Sequence, residues 1–210
     1  MKTALFLLLA AQARAHRLDE YLQGTLLSVE KNRMSAEMTL TPGVAVFRVV
    51  LANLDTNSDG VVSAEERQAY AAGVLQDLSL RIDGRALTPR LRSVQIPGIA
   101  ELEAGTGEIR VAFDADLPPG GPSRKLILEN HHLSRIAAYQ VNCLVSRDPA
   151  IHILEQKRNY LQSVYELDFT QPSPTLSLAW FPDIGKPLAT IALLSLAWIA
   201  LLWKRQSEQH

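Results

Sequence analysis

Residues Asp55 to Glu66 read Asp-Thr-Asn-Ser-Asp-Gly-Val-Val-Ser-Ala-Glu-Glu, with side-chain oxygens at the first, third, fifth, ninth and twelfth positions and glycine at the sixth. That spacing suits a hard divalent cation, which is satisfied by six to eight oxygen ligands. Asp55, Asn57 and Asp59 would wrap around the ion, and Val61 would add its backbone carbonyl. Ser63 would supply a hydroxyl or a held water and Glu66 both carboxylate oxygens, while Gly60 permits the bend midway. The pattern predicts a calcium loop of the EF-hand kind, with Ca2+ as the cofactor. The plainer alternative is an Asx-rich turn with solvated carboxylates, a chemistry that seldom fills all six positions.

Other reactive residue types are sparse. His131 and His132 follow Glu129-Asn130 at the end of an apolar strand, and adjacent strand residues point to opposite faces. We therefore expect one partly buried and one exposed histidine rather than a ligand pair. His16 would become a free N-terminus if a leader is removed after Ala15, and its amine and imidazole together suit copper or nickel. Cys143 is the single cysteine, which rules out an internal disulfide. Tyr139, Val141, Cys143 and Val145 alternate as one strand face, so the thiol reads as structural. Ser134 and Ser163 lie in no nucleophile motif, and no Gly-x-Ser-x-Gly, phosphate loop or His-Glu-x-x-His occurs. We expect no enzyme.

The flanks of the calcium loop must be helical to hold it. Phe47, Val50, Leu51 and Leu54 recur at the spacing of one apolar helical face. On the exit side a polar helix begins at Ser63 or Ala64, with Tyr70, Ala71 and Val74 facing inward and Arg67 at a position more often apolar. Elsewhere the apolar residues alternate: Met34, Ala36, Met38, Leu40; Leu78, Leu80, Ile82; Ile109, Val111, Phe113, Ala115, Leu117; Tyr165, Leu167, Phe169. Lys31-Asn32-Arg33 and Asp83-Gly84 read as hairpin turns, and Pro118-Pro119-Gly120-Gly121-Pro122 as a loop. Short strands with frequent turns predict a mainly β, sandwich-like domain rather than a parallel sheet, with the helix-loop-helix inserted at residues 43–77 between the second and third strands.

Two further segments carry topology. Lys2, an apolar stretch to Ala11 and Ala13-Arg14-Ala15 form a signal-peptide pattern over residues 1–15. Leu188 to Trp203 is apolar or small throughout and is followed by Lys204-Arg205, which predicts one transmembrane helix with residues 204–210 cytoplasmic. The outer domain then spans 16–171 and a linker 172–187. With a formal net charge of −1 and no basic run, nucleic acid is not expected as a partner.

With His16-Arg-Leu-Asp-Glu-Tyr-Leu-Gln23, Leu40-Thr-Pro-Gly-Val-Ala-Val46, the calcium loop, Glu129-Asn-His-His132 and Tyr139-Gln-Val-Asn142 together, the chain resembles a group of bacterial extracytoplasmic domains. Similar domains precede nickel and cobalt permeases of the hydrogenase/urease-accessory type. The resemblance implies an all-β periplasmic domain with an EF-hand insert, held at the inner membrane beside a transporter. Calcium-dependent accessory work is the first expectation. Capture or delivery of nickel, cobalt or copper through His16 with His131 or His132 is the second.

Overall fold

The computed structural model describes residues 19–172. The leader at 1–15, His16, most of the linker, the apolar segment at 188–203 and the tail lie outside these residues. Among the described residues no helix is long and apolar enough to cross a membrane.

The chain is mainly β and forms two sheets. Its elements run β1 (Tyr21–Val29), β2 (Arg33–Pro42), α1 (Phe47–Leu54), α2 (Ala64–Gln76), β3 (Leu78–Ile82), β4 (Arg85–Ala86) and β5 (Arg90–Gln95). They continue with α3 (Ile99–Glu103), β6 (Ile109–Asp116), β7 (Ser123–Asn130), β8 (Ala137–Cys143), β9 (His152–Arg158) and β10 (Val164–Thr170). The first sheet has the order β5-β6-β2-β1-β8 and the second β4-β3-β7-β10-β9. Period-two alternation explains the layering, because every second residue of β2, β3, β6 and β10 is buried. Met34, Met38 and Phe113 from one sheet and Leu80, Leu126 and Phe169 from the other belong to the same apolar cluster.

The turns follow local chemistry. Glu30 N–H donates to the Arg33 carbonyl at 2.8 Å, so Lys31-Asn32 is the turn and Arg33 already begins β2. Asp83 and Gly84 have φ of 51° and 80°, the mirror-image turn whose twist matches a two-residue hairpin. The helical pair does separate the second strand from the third. Phe47, Val50 and Leu54 of α1 and Tyr70, Ala71, Val74 and Leu75 of α2 are buried in the common core.

One strand pairing was not foreseen, and one expectation needs correction. The first sheet is mixed, because β8 pairs with β1 in parallel, Tyr21 opposite Ala137 and Leu27 opposite Cys143. Alternation reports which face is buried but not the direction of a neighbour, so the sequence pattern could not distinguish the two. The correction concerns the face assigned to Tyr139, Val141, Cys143 and Val145. Strand β8 stops at Cys143, only Val141 of the four is buried, and Val145 is 88% exposed. The chain leaves the sheet there, with Ser146 Oγ donating to the Val29 carbonyl at 2.8 Å. The outer edge of β8 is instead closed by Arg158 of β9, whose Nε donates to the Val141 carbonyl at 2.8 Å. Such side-chain cover protects an edge that could otherwise pair with another chain.

Candidate functional site

The twelve-residue loop is folded by its own carboxylates. Asp55 sits at the C-cap of α1, and its Oδ1 accepts from Asp59 N–H at 3.1 Å while Oδ2 accepts from Gly60 N–H at 2.9 Å. Asn57 Oδ1 accepts from Asp59 N–H at 2.9 Å, and Asp59 Oδ1 accepts from Val61 N–H at 2.8 Å. Each acidic or amide group thereby bends the next two to five residues back on itself, the habit of Asx residues in turns. Gly60 has φ +81°, a left-handed conformation in which a side chain would be strained, and Ser58 adopts φ 58°. Val61 lies in this bend with its side chain exposed.

The exit helix starts with a capping box. Ser63 Oγ accepts from Glu66 N–H at 3.2 Å, and Glu66 Oε2 accepts from Ser63 N–H at 3.0 Å and Ser63 Oγ–H at 2.9 Å. The other oxygen, Oε1, accepts from Thr56 N–H at 2.8 Å, Thr56 Oγ–H at 3.0 Å and Asn57 N–H at 3.4 Å. Glu66 thus ties the last position of the loop to its first turn. Hydrogen bonds from Ser63, followed by those from Thr56, lower its carboxyl to about 2 against the opposing effect of burial. Arg67 reaches back from α2, and its Nη1 donates to the Val62 carbonyl at 3.2 Å. This contact explains a charged residue at a position expected to be apolar, since the guanidinium end is held by a loop carbonyl.

All six residues singled out by spacing therefore lie on one loop, and their donor atoms are hard oxygens suited to calcium. Their carboxylates face backbone amides: among the described residues no three His, Cys, Asp or Glu side chains form a group able to hold a metal ion. The donor chemistry and the Gly60 bend fit calcium. Glu66 is the position where an ion and the backbone would compete, because it already accepts from Thr56, Asn57 and Ser63.

A second polar group sits at the far end of α2, and most of it was not foreseen. His132 is 5% exposed. Its Nδ1 meets Asp77 Oδ2 at 2.8 Å and its Nε2 meets Tyr70 Oη at 3.2 Å. The Tyr70 hydroxyl in turn bonds that of Tyr21 on β1. Gln23 Nε2 donates to the His132 carbonyl at 2.8 Å, Asn130 Nδ2 donates to Gln23 Oε1 at 2.9 Å, and Asn130 Oδ1 accepts from His132 N–H at 2.9 Å. Burial lowers the His132 pKa from its ordinary value, against the opposing pull of Asp77. Burial raises the hydroxyls of Tyr21 and Tyr70. His131 turns outward, with its side chain 61% exposed and Glu129 at 3.5 Å. The two histidines divide as adjacent positions should.

The available sequence signal for this group was polarity on an apolar face. Gln23 follows Tyr21 by two residues on the buried side of β1, and Asn130 ends the buried side of β7. Cys143 is half-buried, its thiol bonds the Leu144 carbonyl at 3.3 Å, and burial pushes its pKa up to about 11, which suits an inert thiol.

Comparison with family models, with curated proteins and with solved structures returns no match.

Proposed function

We propose that this protein is a calcium-binding, membrane-anchored extracytoplasmic accessory domain with a β-sandwich framework and an EF-hand insert. The observation that carries this reading is the hydrogen-bonded loop from Asp55 to Glu66 between two core-packed helices. Calcium would draw on Asp55, Asn57, Asp59, the Val61 carbonyl, Ser63 and Glu66. It would supply no reaction there, only a charge that ties the entering helix to the exit helix. A single site carrying three carboxylates, whose twelfth residue is already engaged, belongs with weak extracellular sites of about 10⁻⁴ to 10⁻³ M.

The anchor and the periplasmic location rest on the sequence at 1–15 and 188–203. Association with a permease or another membrane protein rests on the resemblance. Transition-metal capture is less well supported, because both ring nitrogens of His132 already have partners and His131 faces away from them.

Calorimetric titration of the full chain in detergent with calcium, beside Asp55→Ala and Glu66→Gln, tests the assignment. One ion per chain is expected, with a stability gain of about 1.4 kcal/mol when free calcium is tenfold above Kd. Absence of calcium heat at millimolar ion, or two variants that bind as wild type does, would refute it.

A further inference from the structure

Three separate segments bring arginines to one cavity of about 350 Å³. Arg33 comes from the start of β2, Arg92 from the irregular register of β5, and Arg147 from the chain after β8. The floor is small and hydroxylic, with Ser28 opposite Ser35 on the paired strands β1 and β2. Two carboxylates, Glu30 and Glu37, also line it. Arg33 lies 3.2 Å from Glu30, and Arg92 lies a loose 3.9 Å from Asp114. Among the described residues Arg147 has no carboxylate within ion-pair distance. Guanidinium groups suit phosphate, since their forked donors match two of its oxygens.

Two lining side chains, Leu26 and Leu144, are apolar and uncovered, and Val145 adjoins Leu144 in the chain. Leu26 is 44% exposed, Leu144 48% and Val145 88%. Basic groups beside exposed aliphatic side chains suit the boundary of a charged bilayer better than a soluble anion. The location agrees. Arg33 is opposite Asp116 at the end of β6, the next strand begins at Ser123, and Ser123 is opposite Thr170 at the end of β10. From that same end the sequence continues through 173–187 to the apolar segment at 188–203.

We propose that this face docks on an anionic lipid surface, with Arg33, Arg92 and Arg147 receiving a headgroup phosphate and Leu144 and Val145 entering the interface. The proposal rests on the reading of 188–203 as a membrane segment, which an alkaline-carbonate wash of the full chain in vesicles tests separately.

The docking itself is read by amide hydrogen exchange of the full chain in phosphatidylcholine nanodiscs, with and without phosphatidylglycerol. Protection of residues 26–35 and 143–147 is expected only with phosphatidylglycerol and should fade at high salt, while the calcium loop stays unchanged. In phosphatidylglycerol nanodiscs at low salt the docking equilibrium read from that protection should weaken about fivefold for each of Arg92→Gln and Arg147→Gln, since a basic residue at a charged membrane surface contributes about 1 kcal/mol. Equal exchange in the two lipids, with the chain resistant to carbonate, would overturn the docking and leave the anchor standing. Loss of the chain in carbonate with lipid-dependent protection intact would retain the docking and remove the anchor. Protection reproduced by inorganic phosphate in neutral nanodiscs would make the cavity a free-anion site and overturn lipid docking.

Discussion

The two ends of helix α2 hold the same kinds of groups but bond them to different parts of the molecule. At its start, Asp55, Asp59 and Glu66 bond to amides of their own loop, in a segment where Asn57, Asp59 and Gly60 are exposed. At its end, Asp77, Tyr70 and His132 bond to one another and connect through Tyr21, Gln23 and Asn130 to both sheets. Water can replace a partner lost by Asn57 or Asp59, which are exposed, but not one lost by the buried Asp55 or Glu66. At the second, a partner lost by His132 or Tyr70 leaves a buried polar group unsatisfied, which is the more expensive outcome, while Asp77 itself is exposed. The division falls between residues rather than between ends: Asn57, Asp59 and Asp77 are open to water, while Asp55, Glu66, Tyr70 and His132 are buried. The first end is bonded within its own loop, and the second fixes the helix on the core.

Breaking the buried end should give the largest effect. His132→Ala is expected to lower unfolding free energy by about 2–4 kcal/mol, because it removes the two side-chain hydrogen bonds to Asp77 and Tyr70 and leaves a cavity. Urea denaturation without calcium measures this, and a loss under half that size would show that water satisfies the group. Asp59→Asn should behave in the opposite way: weaker calcium binding by calorimetry, with calcium-free stability unchanged to about 0.5 kcal/mol. Ser63→Ala lies between the two. It should cost about 1 kcal/mol by removing the cap of α2, and should also weaken calcium binding.

Acid should separate the ends. The His132 pKa is lowered in the folded state, so the unfolded chain binds the additional proton and stability is lost as pH falls below the ordinary histidine range. Glu66 is also lowered, to about 2, so its contribution is present above the ordinary glutamate value of 4.5 and is lost as pH falls toward 2. Thermal scans across pH should show two steps, with His132→Gln flattening the upper and Glu66→Gln the lower. The smallest expected effect is a gain. Thr56→Val removes a hydroxyl that competes with an ion for Glu66, and should tighten calcium binding about threefold if one hydrogen bond of about 0.6 kcal/mol is released.

Local chemistry made much of this legible in the sequence. Alternation located β2, β3, β6 and β10 because one buried face forces every second residue to be apolar. Strands β5 and β9 escaped notice: each lies at a sheet edge, and neither contains a buried residue. Without that requirement Arg90–Gln95 and His152–Arg158 are free to be polar, and no period survives. The loop from Asp55 to Glu66 was legible for a different reason, since its turn chemistry is carried by twelve consecutive residues and needs no distant partner.

By itself, then, the sequence determined hairpin turns around Lys31-Asn32-Arg33 and at Asp83-Gly84, the helices around the loop, and the oxygen set from Asp55 to Glu66, while the structure moved Arg33 into β2. These depend on backbone preference and short-range hydrogen bonds, which adjacent residue types specify. Only the tertiary structure decided that β8 runs parallel to β1, that His132 is enclosed by Asp77 and Tyr70, and that Arg33, Arg92 and Arg147 share a cavity. Each of those joins residues tens of positions apart. Their meeting is set by how two sheets bury a common apolar core, and the spacing of residues along the chain carries no record of it.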